Sequence, residues 1–199
     1  MTEQAPGLIE DELIQTPLQK LNVMLGFLGF DIERIPTSKD IHFESLLIGL
    51  DEGENIETHR HVAQVFFIED LLKVPEMDDF QNDLNRMSTL QFLVNLPISW
   101  AQIEPTRLLL GYELMQICNR ILPVGYLGLS PEKEIYFSYA LRAENQDISL
   151  TVISDLLTMI GYFLNTIAPQ IHAVKASQKT LQELQTAIEQ GITGHLNKS

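Results

Sequence analysis

Between residues 84 and 174, four segments with different hydrophobic periods follow one another almost without interruption, and their order restricts the chain to few architectures. Residues 88–98 place Leu90, Phe92, Val94 and Leu96 in strict alternation, the pattern of a strand with one buried face. Pro97 is expected to end that strand, since proline has no N–H to give to a ladder. Pro105 opens a helix over residues 105–122, at a position where a missing N–H costs nothing. Its apolar set (Leu108, Leu109, Tyr112, Met115, Cys118, Ile121 and Leu122) spreads over more than one face. Such a helix has to be covered twice, once by its sheet and once by something else, and Gly111 would let a neighbour come close. After Pro123, residues 125–129 and 134–142 read as a hairpin around Ser130-Pro131-Glu132-Lys133. A long apolar helix then covers residues 148–174, with Asn145 or Asp147 as its cap, and Pro169 is expected to kink it or end its first part.

The first half supplies the elements that pair with this block. Thr16-Pro17 is an N-cap followed by a first-turn proline, and Leu18, Leu21, Met24, Leu25 and Leu28 recur at helical spacing over residues 17–30. Strands are expected at residues 42–50 and 60–70, joined by the polar loop 52–58. Residues 74–85, with Pro75 and the acids Glu76, Asp78, Asp79 and Asp83, read as a loop with a partial helical turn. The acidic stretch 1–15, with Pro6 and Gly7, reads as a mobile leader. Residues 16–174 form one domain and residues 175–199 an amphipathic helical tail, which Gly191 and Gly194 are expected to dissolve. The fold class is therefore α+β: an antiparallel five-stranded sheet in the order α-β-β-β-α-β-β-α, plus the C-terminal tail.

The formal net charge of −14 excludes some partners. A surface that negative repels phosphate backbones and anionic membranes and favours basic proteins. Cys118 is the single cysteine, so no intramolecular disulfide can form, which suits a reducing cytoplasm. Residues 148–174 contain Ser149, Asp155, Asn165 and Gln170 and are expected to fall short of a membrane span.

This order resembles the type III secretion chaperone-like fold, and within it the YbjN-like family, over about residues 16–174. The likeness lies in Leu84-Asn85-Arg86 leading into the strand Leu90 to Leu96, and in Cys118-Asn119-Arg120-Ile121-Leu122-Pro123-Val124-Gly125 leading into Tyr126-Leu127-Gly128-Leu129. The strand from Ile135 to Leu141 and the helix from Ile148 complete it. The resemblance implies a homodimeric, non-enzymatic, cofactor-free domain offering a sheet face and helix grooves to a polypeptide partner. It brings no catalytic residues.

The residues that carry chemistry are few. His59 and His61, in Thr58-His59-Arg60-His61, would share a strand face and could hold a metal with a nearby acid, but without a third ligand a polar hairpin rim is the plainer reading. Arg107, Arg120 and Arg142 are candidate contacts for an anion, set against pairing with the abundant acids. Cys118 reads as a core thiol. No phosphate loop, dinucleotide fingerprint, nucleophile elbow or zinc-protease helix is present. Leu108, Tyr112 and Met115, flanked by Trp100, form the expected partner or dimer surface, because apolar patches of that size rarely stay exposed. The competing expectation is a small-molecule or nucleotide-sensing regulator with a pocket between sheet and helix, using Arg120 or Arg142.

Overall fold

The computed structural model describes residues 16–53, 56–71, 87–144, 146–176 and 179–196, without the side chains of Met87 and residues 193–196. The expectations for residues 1–15, 74–85 and Asn145 lie outside the described residues. Helix α1 (Pro17–Phe27) leads into strands β1 (Ile32–Ile35), β2 (Ser45–Gly49) and β3 (Val62–Phe67), with a 3-10 turn at Ile56–Thr58. A short helix α2 (Ile68–Leu71), strand β4 (Met87–Ser99), helix α3 (Pro105–Ile121) and strands β5 (Tyr126–Leu129) and β6 (Glu134–Glu144) follow. Helices α4 (Leu150–Lys175) and α5 (Leu181–Leu196) end the described chain.

One antiparallel sheet holds all six strands in the order β1-β2-β3-β4-β6-β5. Five strands were expected; the sixth is β1, a short edge strand of sequence Ile-Glu-Arg-Ile that is too short and too charged to show alternation. It follows α1 directly because that helix stops sharply. Gly29, at φ 89°, lets Phe30 N–H reach Leu25 C=O and Gly29 N–H reach Gly26 C=O, a glycine-terminated helix end. The start of α1 matches expectation: the Thr16 hydroxyl accepts from Gln19 N–H while the Gln19 side chain accepts from Thr16 N–H.

Other boundaries differ from expectation for identifiable reasons. Strand β4 runs through Pro97 to Ser99, because its pairing with β6 shifts register between Asn95 and Ser99 and β3 pairs with it only up to Val94. The missing proline N–H falls where no ladder bond is needed. The second expected strand stops at Phe67, and Ile68 begins α2. Helix α4 starts after Ser149 and passes Pro169 without ending. By length and composition it could cross a membrane, contrary to expectation, yet Ile153, Leu157, Leu164, Ile167 and Ile171 are buried inside the fold.

Two rows across the sheet show how sequence period becomes a two-layer structure. Ile32, Ile48, Ala63, Val94, Phe137 and Leu127 are registered neighbours across six strands, and all but half-buried Ile32 are buried. They meet Leu18, Leu21 and Leu25 of α1, Leu114, Met115 and Cys118 of α3, the apolar stripe of α4, and Leu184 and Ile188 of α5 in a single core. One residue along each strand, Glu33, Leu47, Gln64, Leu93, Ser138 and Tyr126 form the parallel row on the other face. The long helices α1, α3 and α4 bury their apolar stripes on the first face, and α5 packs on α3 and α4.

Candidate functional site

The second face of the sheet is left uncovered by the long helices among the described residues. Its centre carries no charge: Leu47, Gln64, Leu93, Gln91 and Ser138 are each half-buried. Gln91 is fixed by donating to the Ser138 hydroxyl at 2.9 Å and to the Tyr139 carbonyl at 3.1 Å, and Gln64 donates to Ser45 Oγ at 3.3 Å. At the β5 side Tyr126, half-exposed, stands edge-on to Tyr136, with ring centroids 6.2 Å apart. Tyr136 lies over Gly128, where a Cβ would come within 2.4 Å of its ring. Glu33, Glu134, Arg142 and Glu144, all exposed, mark the rim. An uncharged centre with aromatic anchors and a charged rim is the composition of a protein interface core.

The edge of this sheet at β5 is closed. Asn119 on α3 accepts from Leu127 N–H at 2.7 Å and donates to Leu127 C=O at 3.0 Å, occupying the groups a seventh strand would use. The passage Asn119 to Gly125 thus joins helix to edge strand, and Gly125 at φ 68° makes the turn between them.

A second feature lies where β2 and β3 meet the end of α1. His59 is 5% exposed; its Nε2 lies 3.0 Å from Asp31 Oδ2 and its Nδ1 3.1 Å from Asp51 Oδ1. Burial pulls its pKa down, but the bonds to Asp31 and Asp51 and their negative charge outweigh it, and the result is raised above 6.5. The ring fills a slot between Gly49 and Gly53, where a Cβ would come within 2.3 and 2.9 Å of it. A cleft of about 750 Å³ opens beside it, bounded by Asp31, Asp51, Glu52 and Arg60 and by Leu157, Thr158 and Asn165 of α4.

Leu108, Tyr112 and Met115 stand at i, i+4 and i+7 on α3 with Trp100 against the same helix, whereas Arg107, Arg120 and Arg142 are spread apart. Trp100 is wholly buried and Met115 nearly so, so neither presents a surface; the indole lies against Gly111, filling the space its missing side chain leaves. Leu108 is half-buried and Tyr112 42% exposed. The C-terminal segment expected as a tail covers part of the second face of α3: α5 packs on it, with Leu184 and Ile188 fully buried, while Leu109 stays exposed. Gly191 and Gly194 do not end that helix, which continues to Leu196. Arg107 donates to the Val174 carbonyl at 3.2 Å and lies 3.8 Å from Glu104, while Arg120 sits thirteen positions further along the same helix, roughly 20 Å away. Arg142 is on the rim of the uncovered sheet face. His59 and His61 precede β3 instead of lying on a strand. Both nitrogens of His59 already face carboxylates, and among the described residues no group of three or more His, Cys, Asp or Glu side chains is arranged for a metal ion. Cys118 is buried, which pushes its thiol up to about 12.

The His59 pairing joins residues 28 positions apart in sequence, so no spacing rule could have found it. No protein-family model, curated protein or solved structure matches this chain.

Proposed function

We propose that this is a non-enzymatic, chaperone-like adaptor that binds other proteins and acts as a homodimer, its two copies packing through the uncovered sheet faces. The observation that carries this reading is the uncharged row Leu47, Gln64, Leu93 and Ser138 on a chain of net charge −14. Two such chains repel each other wherever acids face acids, so self-association needs a contact surface free of charge. A basic partner, in contrast, needs acids beneath it, and those lie elsewhere on the surface. The acidic exterior left outside the dimer is the surface on which a basic polypeptide would dock. The best-placed reactive side chains support a non-catalytic role: the Cys118 thiol is buried and both His59 nitrogens are engaged.

Light scattering on the purified chain tests this. The expected mass at micromolar concentration is twice 22.6 kDa, and Leu93→Glu returns it to the single-chain value with an unchanged far-UV spectrum. A wild-type monomer, or a folded Leu93→Glu protein that stays dimeric, overturns the assignment of this face.

The cleft beside His59 favours a second reading, a small-molecule-sensing regulator with its pocket between sheet and helix. Arg60 lines that cleft, whereas Arg120 and Arg142 do not. A thermal-shift screen separates the readings, because a ligand bound only by the folded state raises the melting temperature.

A further inference from the structure

His59 adds a side-chain tie at the end of the β1–β2 ladder, just beyond the Ile32–Ile48 pair and the bond from Gly49 N–H to Asp31 C=O. Asp31 belongs to the connection between α1 and β1, and Asp51 to the end of β2. Asp51 is itself anchored, because its carboxylate also accepts from Arg60 N–H at 3.1 Å and from His61 N–H at 3.4 Å. Asp31 is looser, 46% exposed, although its backbone carbonyl accepts from Gly49 N–H at 3.0 Å. The imidazole can donate to both carboxylates only when both nitrogens carry a proton. When one proton leaves, a bare nitrogen lone pair faces a carboxylate oxygen at about hydrogen-bond distance, which is repulsive. The proton lost is the one on Nε2, since water can reach Asp31 while Asp51 stays held by backbone donors.

We propose that His59 is a proton-dependent latch that, in its doubly protonated form, fastens the β2–β3 connection to the α1–β1 turn and, on losing the Nε2 proton, releases Asp31 and opens one wall of the neighbouring cleft. The glycines at 49 and 53 make the latch possible, because any side chain there would displace the ring. The charged groups around it are Asp31 from the α1–β1 turn, Asp51 and Glu52 after β2, and Arg60 beside it; α4 contributes only uncharged Leu157, Thr158 and Asn165 to the cleft. The raised histidine pKa accords with this geometry and places release above pH 6.5.

The test is nuclear magnetic resonance on the full chain across pH 5.5 to about 9, following the His59 ring protons and the exchange of the Gly49, Arg60 and His61 amides. The expected midpoint for His59 lies above 6.5, and above that midpoint protection of the Gly49 amide falls by up to about tenfold per pH unit beyond the intrinsic change, the slope for one proton. Asp31→Asn, a change at a half-exposed side chain, moves the midpoint down toward 6.5. His59→Gln, locked in an uncharged form, shows the weak Gly49 protection of the high-pH state at every pH. A His59 midpoint at or below 6.5, titration without any change at Gly49, or an Asp31→Asn protein with an unmoved midpoint each overturns the latch.

Discussion

The Asn119 side chain forms two hydrogen bonds with the backbone of one residue, Leu127, at 2.7 and 3.0 Å, and so fills the outer edge of strand β5. A side-chain amide presents an N–H donor and a C=O acceptor side by side on one planar group, which lets it stand in for a neighbouring strand. The sheet is thereby protected from adding a further strand at this edge without the usual lysine or proline.

Asn119→Ala removes both bonds and leaves the Leu127 N–H and C=O unpaired in a half-buried site. A loss of about 1–3 kcal/mol is expected, read from the urea midpoint. Increased aggregation of the folded variant is expected as well, because the edge is then free.

Gly111→Ala sets two effects against each other. Alanine gains up to about 1 kcal/mol of helix propensity, but its Cβ would lie 2.2 Å from the ring of Trp100, which is fully buried and cannot swing away. Overpacking of this kind costs about 1–3 kcal/mol, so net destabilisation is expected. Trp100 is the only tryptophan, and a change in its fluorescence places the perturbation at this contact.

Leu184→Ala opens a cavity where α5 meets the core, at a cost of about 2–5 kcal/mol. Thermal unfolding checks it. A cost near zero would mean that α5 is detached in solution.

Cys118 has no exposed surface, and its thiol is shifted to about 12, so it is protonated at pH 8 and out of reach. Its labelling by a disulfide reagent is expected to be limited by opening of the fold and to accelerate in urea in step with unfolding. Fast labelling of the native protein would contradict the placement.

The two histidines act in opposite directions on stability. His59 has a raised pKa, so its contribution is complete below 6.5 and is lost as pH rises through the folded value. His61, 4% exposed and with Nδ1 unpartnered, has a pKa lowered chiefly by burial; its contribution is complete above 6.5 and is lost as pH falls through the folded value. The melting temperature is expected to pass through a maximum near pH 6.5. His59→Gln flattens the alkaline limb, and His61→Phe the acidic one.

The main elements and their inward faces follow from local pattern. The alternation of Leu90, Phe92, Val94 and Leu96 and the helical spacing of Leu18, Leu21 and Leu25 are local consequences of the two- and 3.6-residue periods, and those residues are indeed buried. The capped start at Thr16 and the proline starts of α1 and α3 were legible for the same reason, since each depends on bonds within one turn. The remaining features depend on long-range packing. Strand β1 exists because β2 offers it an edge, not because its four residues favour extension. Part of the second face of α3 is covered by the C-terminal helix, while Leu109 and Tyr112 stay exposed. The pairing of His59 with Asp31 and Asp51 depends on chain segments brought together by the sheet, at separations where sequence spacing carries no information. Local periodicity fixes which side of an element is apolar; which surfaces remain uncovered is a global outcome of how all the elements compete to bury them.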